Sequence, residues 1–236
     1  MSGFERTEIF IESLNEGNTE FLDNLEAEAN RDNVPIIRKS MQRFLKLMLE
    51  LKKPKNILEV GTAVGFSAIL MAQYSQSDCH ITTIEKYEKR IPVAKENFLK
   101  SGFNDKITLI EGDAKDILNE LLENENGDDK FAGRYDMIFM DAAKGQYINF
   151  LPNAVKLLKK GGVLITDNVL QDDTVIQSKF TVVRRDRTIH KRMREYIRAL
   201  MQSDELTTDI LQLGDGISVS VKKIIVTDFG DTDAKK

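Results

Sequence analysis

Between residues 56 and 166 the chain alternates short apolar runs with longer stretches whose apolar positions recur at helical spacing. The short runs are Ile57-Leu-Glu-Val60, Ile81-Thr-Thr-Ile84, Ile107-Thr-Leu-Ile110, Tyr135-Asp-Met-Ile-Phe-Met140 and Gly162-Val-Leu-Ile-Thr166. Rich in Ile, Val and Phe, they predict buried parallel strands. Residues 67–73, 91–100, 114–122 and about 147–158 predict the helices between them. Such βα alternation predicts an α/β fold, a parallel sheet with helices on both faces.

The ends of the chain depart from this rhythm. Residues 1–33 are polar and helical in character, with Phe10, Leu14, Phe21, Leu22 and Leu25 as the apolar positions. Val34-Pro35 interrupts them, because the residue before a proline is pushed out of the α region. The next predicted helix turns Phe44, Leu45, Leu47, Met48 and Leu51 inward and ends near Lys52-Lys-Pro54. Residues 210–213 and 217–225 predict two strands joined by the tight turn Gly214-Asp-Gly216, with Ile217, Val219 and Val221 sharing a face. That is an antiparallel hairpin closing the sheet's edge. The expected organisation is one domain, with a helical cap over 1–52, the core over 53–226 and a frayed tail over 227–236. A polar loop is expected at 123–130.

Composition narrows the class without naming a chemistry. The 236 residues suffice for a large core, and 41% hydrophobic with 31% charged residues is ordinary for a soluble globular protein. The lone cysteine, Cys79, excludes a disulfide framework and fits a reducing cytoplasm. The opening Met1-Ser-Gly-Phe-Glu-Arg lacks the apolar stretch of a secretory signal. No apolar run approaches the ~18 residues that span a bilayer, so no membrane association is expected. A net charge of −4 argues against a globally basic nucleic-acid binder, and no DNA partner is expected.

Chemistry enters at the ends of the predicted strands. Asp141 follows one apolar run and Asp167-Asn168 follows another. Open α/β sheets bind ligands beyond the carboxyl ends of their strands. Neighbouring strands would bring two carboxylates and an amide oxygen to one rim, with Lys144 a turn away. Three oxygen ligands suit Mg²⁺, and a lysine beside it is a candidate general base. Taken singly, Asp141 and Asp167 are also explained as strand-end caps.

The first strand-to-helix turn, Gly61-Thr-Ala-Val-Gly65, is not the dinucleotide fingerprint, because its spacing is G-x-x-x-G. With no pyrophosphate to hold, the loop suits a nucleoside with an amino-acid tail. Glu59 and Gly61 are positioned for the tail's amine and carboxylate. Glu85 is positioned for both hydroxyls of a ribose, and Asp113-Ala114 for the adenine side.

These residues resemble the class I S-adenosylmethionine-dependent O-methyltransferases, in the metal-dependent catechol and caffeoyl-CoA branch, from about residue 34 to 224. The segments Val34-Pro-Ile36, Glu59-Val-Gly-Thr62, Asp141-Ala-Ala-Lys-Gly-Gln-Tyr147, Thr166-Asp-Asn-Val169 and Gly214-Asp-Gly216 look most like bacterial transfer-RNA 5-hydroxyuridine methyltransferases. The resemblance implies a Rossmann-like, mostly parallel seven-stranded sheet with an antiparallel C-terminal hairpin, and a homodimer. It implies that Asp141, Asp167 and Asn168 bind Mg²⁺ or another divalent cation and that Lys144 deprotonates the acceptor. It also implies that Ile37, Ser67, Glu85, Asp113, Ala114 and Asp141 contact S-adenosylmethionine. Unlike the animal catechol enzymes, the chain has no tryptophan to wall a small aromatic ring.

One segment bears on the acceptor. Residues 179–198 hold eight Lys/Arg and two Asp/Glu, a local +6 in a chain of −4, which leaves −10 elsewhere. At about 100° per residue, Ile189, Met193, Tyr196 and Leu200 form one stripe and Arg187, Lys191, Arg194 and Arg198 the opposite face. A one-sided basic helix suits a phosphate backbone, here that of a transfer RNA. A solvated or subunit-contacting face has the same pattern. An anticodon-loop base would be splayed into the pocket. Tyr147 and Phe180 are candidates to stack on it, with core packing the plainer role for each. The alternatives are a small catechol or caffeoyl-CoA-like acceptor, a dinucleotide-dependent oxidoreductase, which the glycine spacing disfavours, and a non-catalytic RNA-binding module. Mere binding would need neither the two aspartates nor Lys144.

Overall fold

The computed structural model describes residues 3–123, 133–170, 174–178 and 181–224. The expected tail at 227–236, most of the polar loop at 123–130, and Phe180 lie outside them. The N-terminal cap holds α1 (Gly3–Ser13), α2 (Glu20–Arg31) and α3 (Lys39–Lys52). Then come β1 (Asn56–Val60), α4 (Phe66–Tyr74), β2 (His80–Glu85), α5 (Ile91–Ser101), β3 (Ile107–Glu111) and α6 (Ala114–Glu120). The chain continues through β4 (Tyr135–Met140), a 3₁₀ turn at Lys144–Gln146, α7 (Tyr147–Leu157) and β5 (Leu158–Thr166). It closes with α8 (Arg187–Met201), β6 (Leu206–Leu211) and β7 (Ile217–Lys222).

Seven strands form one sheet in the order β3-β2-β1-β4-β5-β7-β6. The first five are parallel; β7 lies antiparallel to both β5 and β6. The sheet and hairpin are as the sequence predicts. Strand residues alternate between two apolar layers even though the strands are apolar throughout. Ile57, Met137, Phe139, Val163 and Ile165 join a layer with residues of α2 to α5. Leu58, Val60, Ile138, Met140 and Leu164 join the other, built on α6, α7 and α8. None of the helices in the described residues is long and apolar enough to cross a membrane.

Several inward-facing assignments differ from expectation. The N-terminal stretch is two helices, and Phe10 and Leu14 are exposed while Leu22 and Leu25 are buried. In α3 the buried positions are Met41, Leu45 and Leu49, with Phe44 and Met48 partly covered, whereas Leu47 and Leu51 face out. The phase is set by polar Gln42, which is buried because its amide donates to the Ile37 carbonyl at 3.0 Å and accepts from Asn18 at 2.7 Å. In β7 the fully covered face includes Ser218 and Ser220, while Val221 is 40% exposed. Ser220 shares a 2.8 Å hydrogen bond with Thr208 of β6.

The sheet order reverses between β1 and β4, and that switch point is where open α/β sheets hold ligands. Register puts the relevant strand ends level: Val60 pairs with Met140, and Met140 with Thr166. Gly61, Asp141 and Asp167 therefore leave the sheet side by side. Their amides continue the ladder, with Asp141 donating to the Val60 carbonyl and Asp167 to that of Met140, both at 3.0 Å.

Candidate active site

A cavity of about 650 Å³ opens over this edge. Its walls include Gly61 to Ala63, Ser67, Glu85, Tyr87, Asp113 and Ala114, and with them Asp141, Lys144, Asp167 and Asn168. Ile37 and Arg38 of the N-terminal segment, and Asp215 of the β6–β7 turn, also line it. Thus the structure brings together the predicted catalytic, cofactor and metal residues, with one exception.

The exception is Glu59. It is fully buried and does not line the cavity. Ser67 Oγ and Thr83 Oγ1 each donate to one of its oxygens at 2.5 Å, and Thr83 Oγ1 also lies 2.6 Å from Thr62 Oγ1. Burial pushes its carboxyl up to about 8, against the pull of the two hydroxyls. Glu59 is an anchor beneath the loop rather than a wall, and it acts on the cavity through Ser67. Sequence alone places it at the strand end but cannot show that two hydroxyls from different elements enclose it. Thr83, buried in β2, is part of this cluster and escapes sequence reasoning; two threonines in a buried strand are its only signal.

Glu85 lines the cavity as expected, but its oxygens are already engaged. Oε2 accepts from the Ala63 amide at 2.8 Å, and Oε1 from the amides of Lys86 and Tyr87 at 2.9 and 2.8 Å. A carboxylate has about four lone-pair sites, so one remains for a ligand hydroxyl rather than two. Asp113 caps α6 by accepting from the Lys115 amide at 2.9 Å, and that bond holds its carboxyl below the usual range, helped by Lys86 at 3.2 Å.

Burial pushes the Asp141 carboxyl up to about 6, with Lys144 pulling against it. Burial pushes Asp167 up to about 7, and the neighbouring Asp141 charge adds to the rise. Asp167 accepts from the Asn168 amide at 2.7 Å, and Asn168 holds a left-handed backbone at φ +59°. Such a backbone in a non-glycine residue persists where its surroundings over-determine it. The Gly214-Asp-Gly216 turn supplies part of that support. Its carbonyls at Gly216 and Asp215 accept from Val169 and Leu170 at 2.8 and 2.9 Å. A side chain at Gly216 would meet Leu170 at 2.2 Å. Asp215 also pairs with Arg38 at 2.6 Å across the cavity wall. Both members of that pair escape sequence reasoning, because nothing in the sequence links positions so far apart.

The donor set fits a hard divalent cation. The Asp141 charge that raises Asp167 would be offset by a cation held by both carboxylates, and the Asn168 amide offers a third oxygen. Among the described residues no three His, Cys, Asp or Glu stand together, so a cation held here would need Asn168 as well as the two aspartates.

Beside Lys144 lies a smaller cavity of about 330 Å³, walled by Thr174, Gln177, Val182, Ile189 and His190 among others. Here α8 meets the site: Arg192 donates to the Gly145 carbonyl at 3.0 Å. The buried stripe of α8 is His190, Met193, Tyr196 and Leu200. Ile189, expected inside, is 38% exposed, and His190 takes its place by pairing with the Gln177 carbonyl at 3.2 Å. Of the four predicted basic positions, Lys191 and Arg198 are exposed; Arg187 is exposed but donates to Val182 at 3.1 Å. Arg194 is half-buried and reaches the carbonyls of Val175 and Gln177 at 3.4 Å. Tyr147 is fully buried, so it packs in the core and does not stack on a base.

Fold and site together are those of a Rossmann-like methyltransferase. The O-methyltransferase family model matches residues 12–224, and the chain belongs to that family. It is 35% identical to a catechol O-methyltransferase of Niastella koreensis over 59% of this chain and 60% of that protein, less than two thirds of its length. It is 32% identical to caffeoyl-CoA O-methyltransferase 2 of Populus trichocarpa, over 75% of this chain and 70% of the other. The solved O-methyltransferase of Bacillus cereus, in complex with SAH, has a TM-score of 0.79 at 25% identity, covering 92% of this chain and 97% of that one.

Proposed function

We propose that this enzyme transfers a methyl group from S-adenosylmethionine to the 5-hydroxyl of 5-hydroxyuridine in the anticodon loop of transfer RNA, giving 5-methoxyuridine. The observation that carries the methyl-transfer reading is that Asp141, Lys144, Asp167 and Asn168 share one cavity with the Gly61 loop, Glu85 and Asp113. The SAH bound to the Bacillus relative supports the cofactor.

Ser67 and the loop amides would hold the amino-acid tail, with the helix dipole of α4 favouring its carboxylate. Glu85 would accept a ribose hydroxyl, and Asp113 and Ala114 would border the adenine. When bound, S-adenosylmethionine supplies an electrophilic methyl, and a divalent cation supplies Lewis acidity and a template for two adjacent acceptor oxygens. Asp141, Asp167 and Asn168 would hold that cation. Lys144 would take the acceptor's proton, from a position on the wall shared by the two cavities. Alignment of the partners accounts for the rest of the acceleration, on the order of 7–11 kcal/mol in favourable cases.

Both a 5-hydroxyuracil and a catechol present two adjacent oxygens. The exposed basic residues of α8, on the helix that braces the Lys144 turn, favour RNA. The second reading, a small catechol or caffeoyl-CoA-like acceptor, is favoured by the Niastella and Populus relatives. We further propose a cytoplasmic homodimer, supported by the exposed Ile9 and Phe10 of α1 and Leu14 just after it, and by the buried free thiol of Cys79. Sedimentation equilibrium tests the dimer.

The deciding experiment transfers labelled methyl from S-adenosylmethionine, with Mg²⁺ and with EDTA, to three acceptors. These are transfer RNA from a strain lacking the gene, a simple catechol, and caffeoyl-CoA. EDTA-sensitive label recovered as 5-methoxyuridine supports the proposal. Label in a small acceptor alone overturns the RNA reading in favour of the second.

A further inference from the structure

Tyr147 opens α7 directly beneath the site, and its side chain is completely buried. Its hydroxyl accepts from the Ala142 amide at 3.3 Å and donates to the Asp167 carbonyl at 3.4 Å. Ala142 follows Asp141 on the loop after β4, and Asp167 begins the loop after β5. One phenol therefore ties together the two loops that carry the carboxylates.

The ring is itself fixed. It packs against Tyr196 of α8, with ring centres 5.5 Å apart and planes tilted by 57°. Tyr196 in turn places its hydroxyl 2.5 Å from Thr166 Oγ1, the residue before Asp167. A tyrosine that only filled the core would need no hydroxyl at this place, since phenylalanine has the same ring. Here the hydroxyl is the partner of a loop amide and a loop carbonyl, which buried backbone groups require.

We infer that Tyr147 is a positioning residue for the divalent-cation site, its hydroxyl setting the separation of Asp141 and Asp167. The inference rests on the proposal that these two residues and Asn168 hold a cation. Groups that orient metal ligands from behind affect metal affinity by roughly 10–100-fold when removed. Both bonds of Tyr147 are long, so the lower figure is expected. Tyr196 supplies a contrast: its hydroxyl pairs with Thr166 of β5 and Ser218 of β7 and does not bridge the two loops.

The test measures Mn²⁺ affinity of the cofactor-free protein by the electron paramagnetic resonance of free Mn²⁺. Wild type, Tyr147→Phe and Tyr196→Phe are compared, each with a thermal melt. Tyr147→Phe is expected to weaken Mn²⁺ binding by about tenfold, and Tyr196→Phe to weaken it clearly less while still lowering the melting temperature. In methyl transfer, Tyr147→Phe should raise the Mg²⁺ concentration for half-maximal rate and recover its kcat at saturation. Unchanged Mn²⁺ affinity in Tyr147→Phe overturns the inference alone, as does an equal loss in both variants, which would mean general loosening. If wild type itself binds no Mn²⁺, the cation proposal falls and the inference with it. Should Tyr147→Phe not fold, amide exchange in the wild type decides. Slow exchange at Ala142 supports the clasp, and exchange at the solvent rate overturns it.

Discussion

Gly61 approaches Asp141 so closely that a methyl group on its α-carbon would stand 2.0 Å from the Asp141 carbonyl oxygen. The first turn of the proposed cofactor loop and the first residue of the proposed cation site thus share one contact. Gly61 also has φ +108°, a conformation that side chains resist. Gly61→Ala is therefore expected to push the two loops apart and to cost about 1–3 kcal/mol of stability. Calorimetric titration should find cofactor and Mn²⁺ binding weakened together. Loss of one with the other intact would break the proposed coupling.

Lys144 lies on the wall of both cavities, at the head of the 3₁₀ turn that leads into α7. It is not among the residues proposed to hold the cofactor, so its removal should leave cofactor binding nearly unchanged. Lys144→Ala is expected to lower the methyl-transfer rate by roughly 10²–10⁴-fold, the usual contribution of a general base. Single-turnover rates beside cofactor titrations check this. Full activity in the variant removes Lys144 from the mechanism.

Glu59 gives the protein a pH dependence of known sign. Its carboxyl is raised from an ordinary 4.5 to about 8, so the folded state holds a proton that the unfolded chain releases. Stability from this group is complete below about 4.5 and is lost as pH rises from there to about 8. Glu59→Gln keeps the size and can still pair with Ser67 and Thr83, but it does not titrate. The variant's midpoint in urea should fall less between pH 5.5 and 8 than that of wild type. Parallel curves would mean that Glu59 is ionised throughout or that its charge is compensated.

The strands are legible in the sequence because parallel strands buried on both faces leave unbroken apolar runs, and the end of each run marks where the chain leaves the sheet. Asp141 and Asp167 meet because Met140 and Thr166 are register partners, which two strand ends of the same kind already suggest. Helix phase is less legible. In α3 and α8 a polar residue, Gln42 or His190, replaces an apolar neighbour in the core because a backbone carbonyl from another segment is there to receive it. Only the tertiary structure supplies that carbonyl. The role of Glu59 is hidden for the same reason, since Ser67 and Thr83 reach it from different elements. Tyr147 is visible as a residue of the motif, but the two loops it joins become neighbours only in the folded sheet.

The basic helix gives the last prediction, and its geometry decides which residues to change. Reversing all four basic positions would confound binding with folding, because Arg187 and Arg194 donate to carbonyls of the preceding segment. Lys191 and Arg198 are exposed, and the Lys191–Glu195 pair at 3.7 Å is a weak surface contact. Lys191→Ala with Arg198→Ala should therefore leave the melting temperature and the cofactor affinity unchanged. If both side chains bind phosphates, removing them lessens the counterion release on binding and with it the salt dependence of transfer-RNA affinity. The log–log slope should become shallower by about 1.4 to 1.8, depending on whether the phosphates belong to single or duplex strands. Filter binding across a salt series reads this directly. An unchanged slope would leave this face a solvated or subunit-facing surface, and the acceptor would then be sought among small catechols.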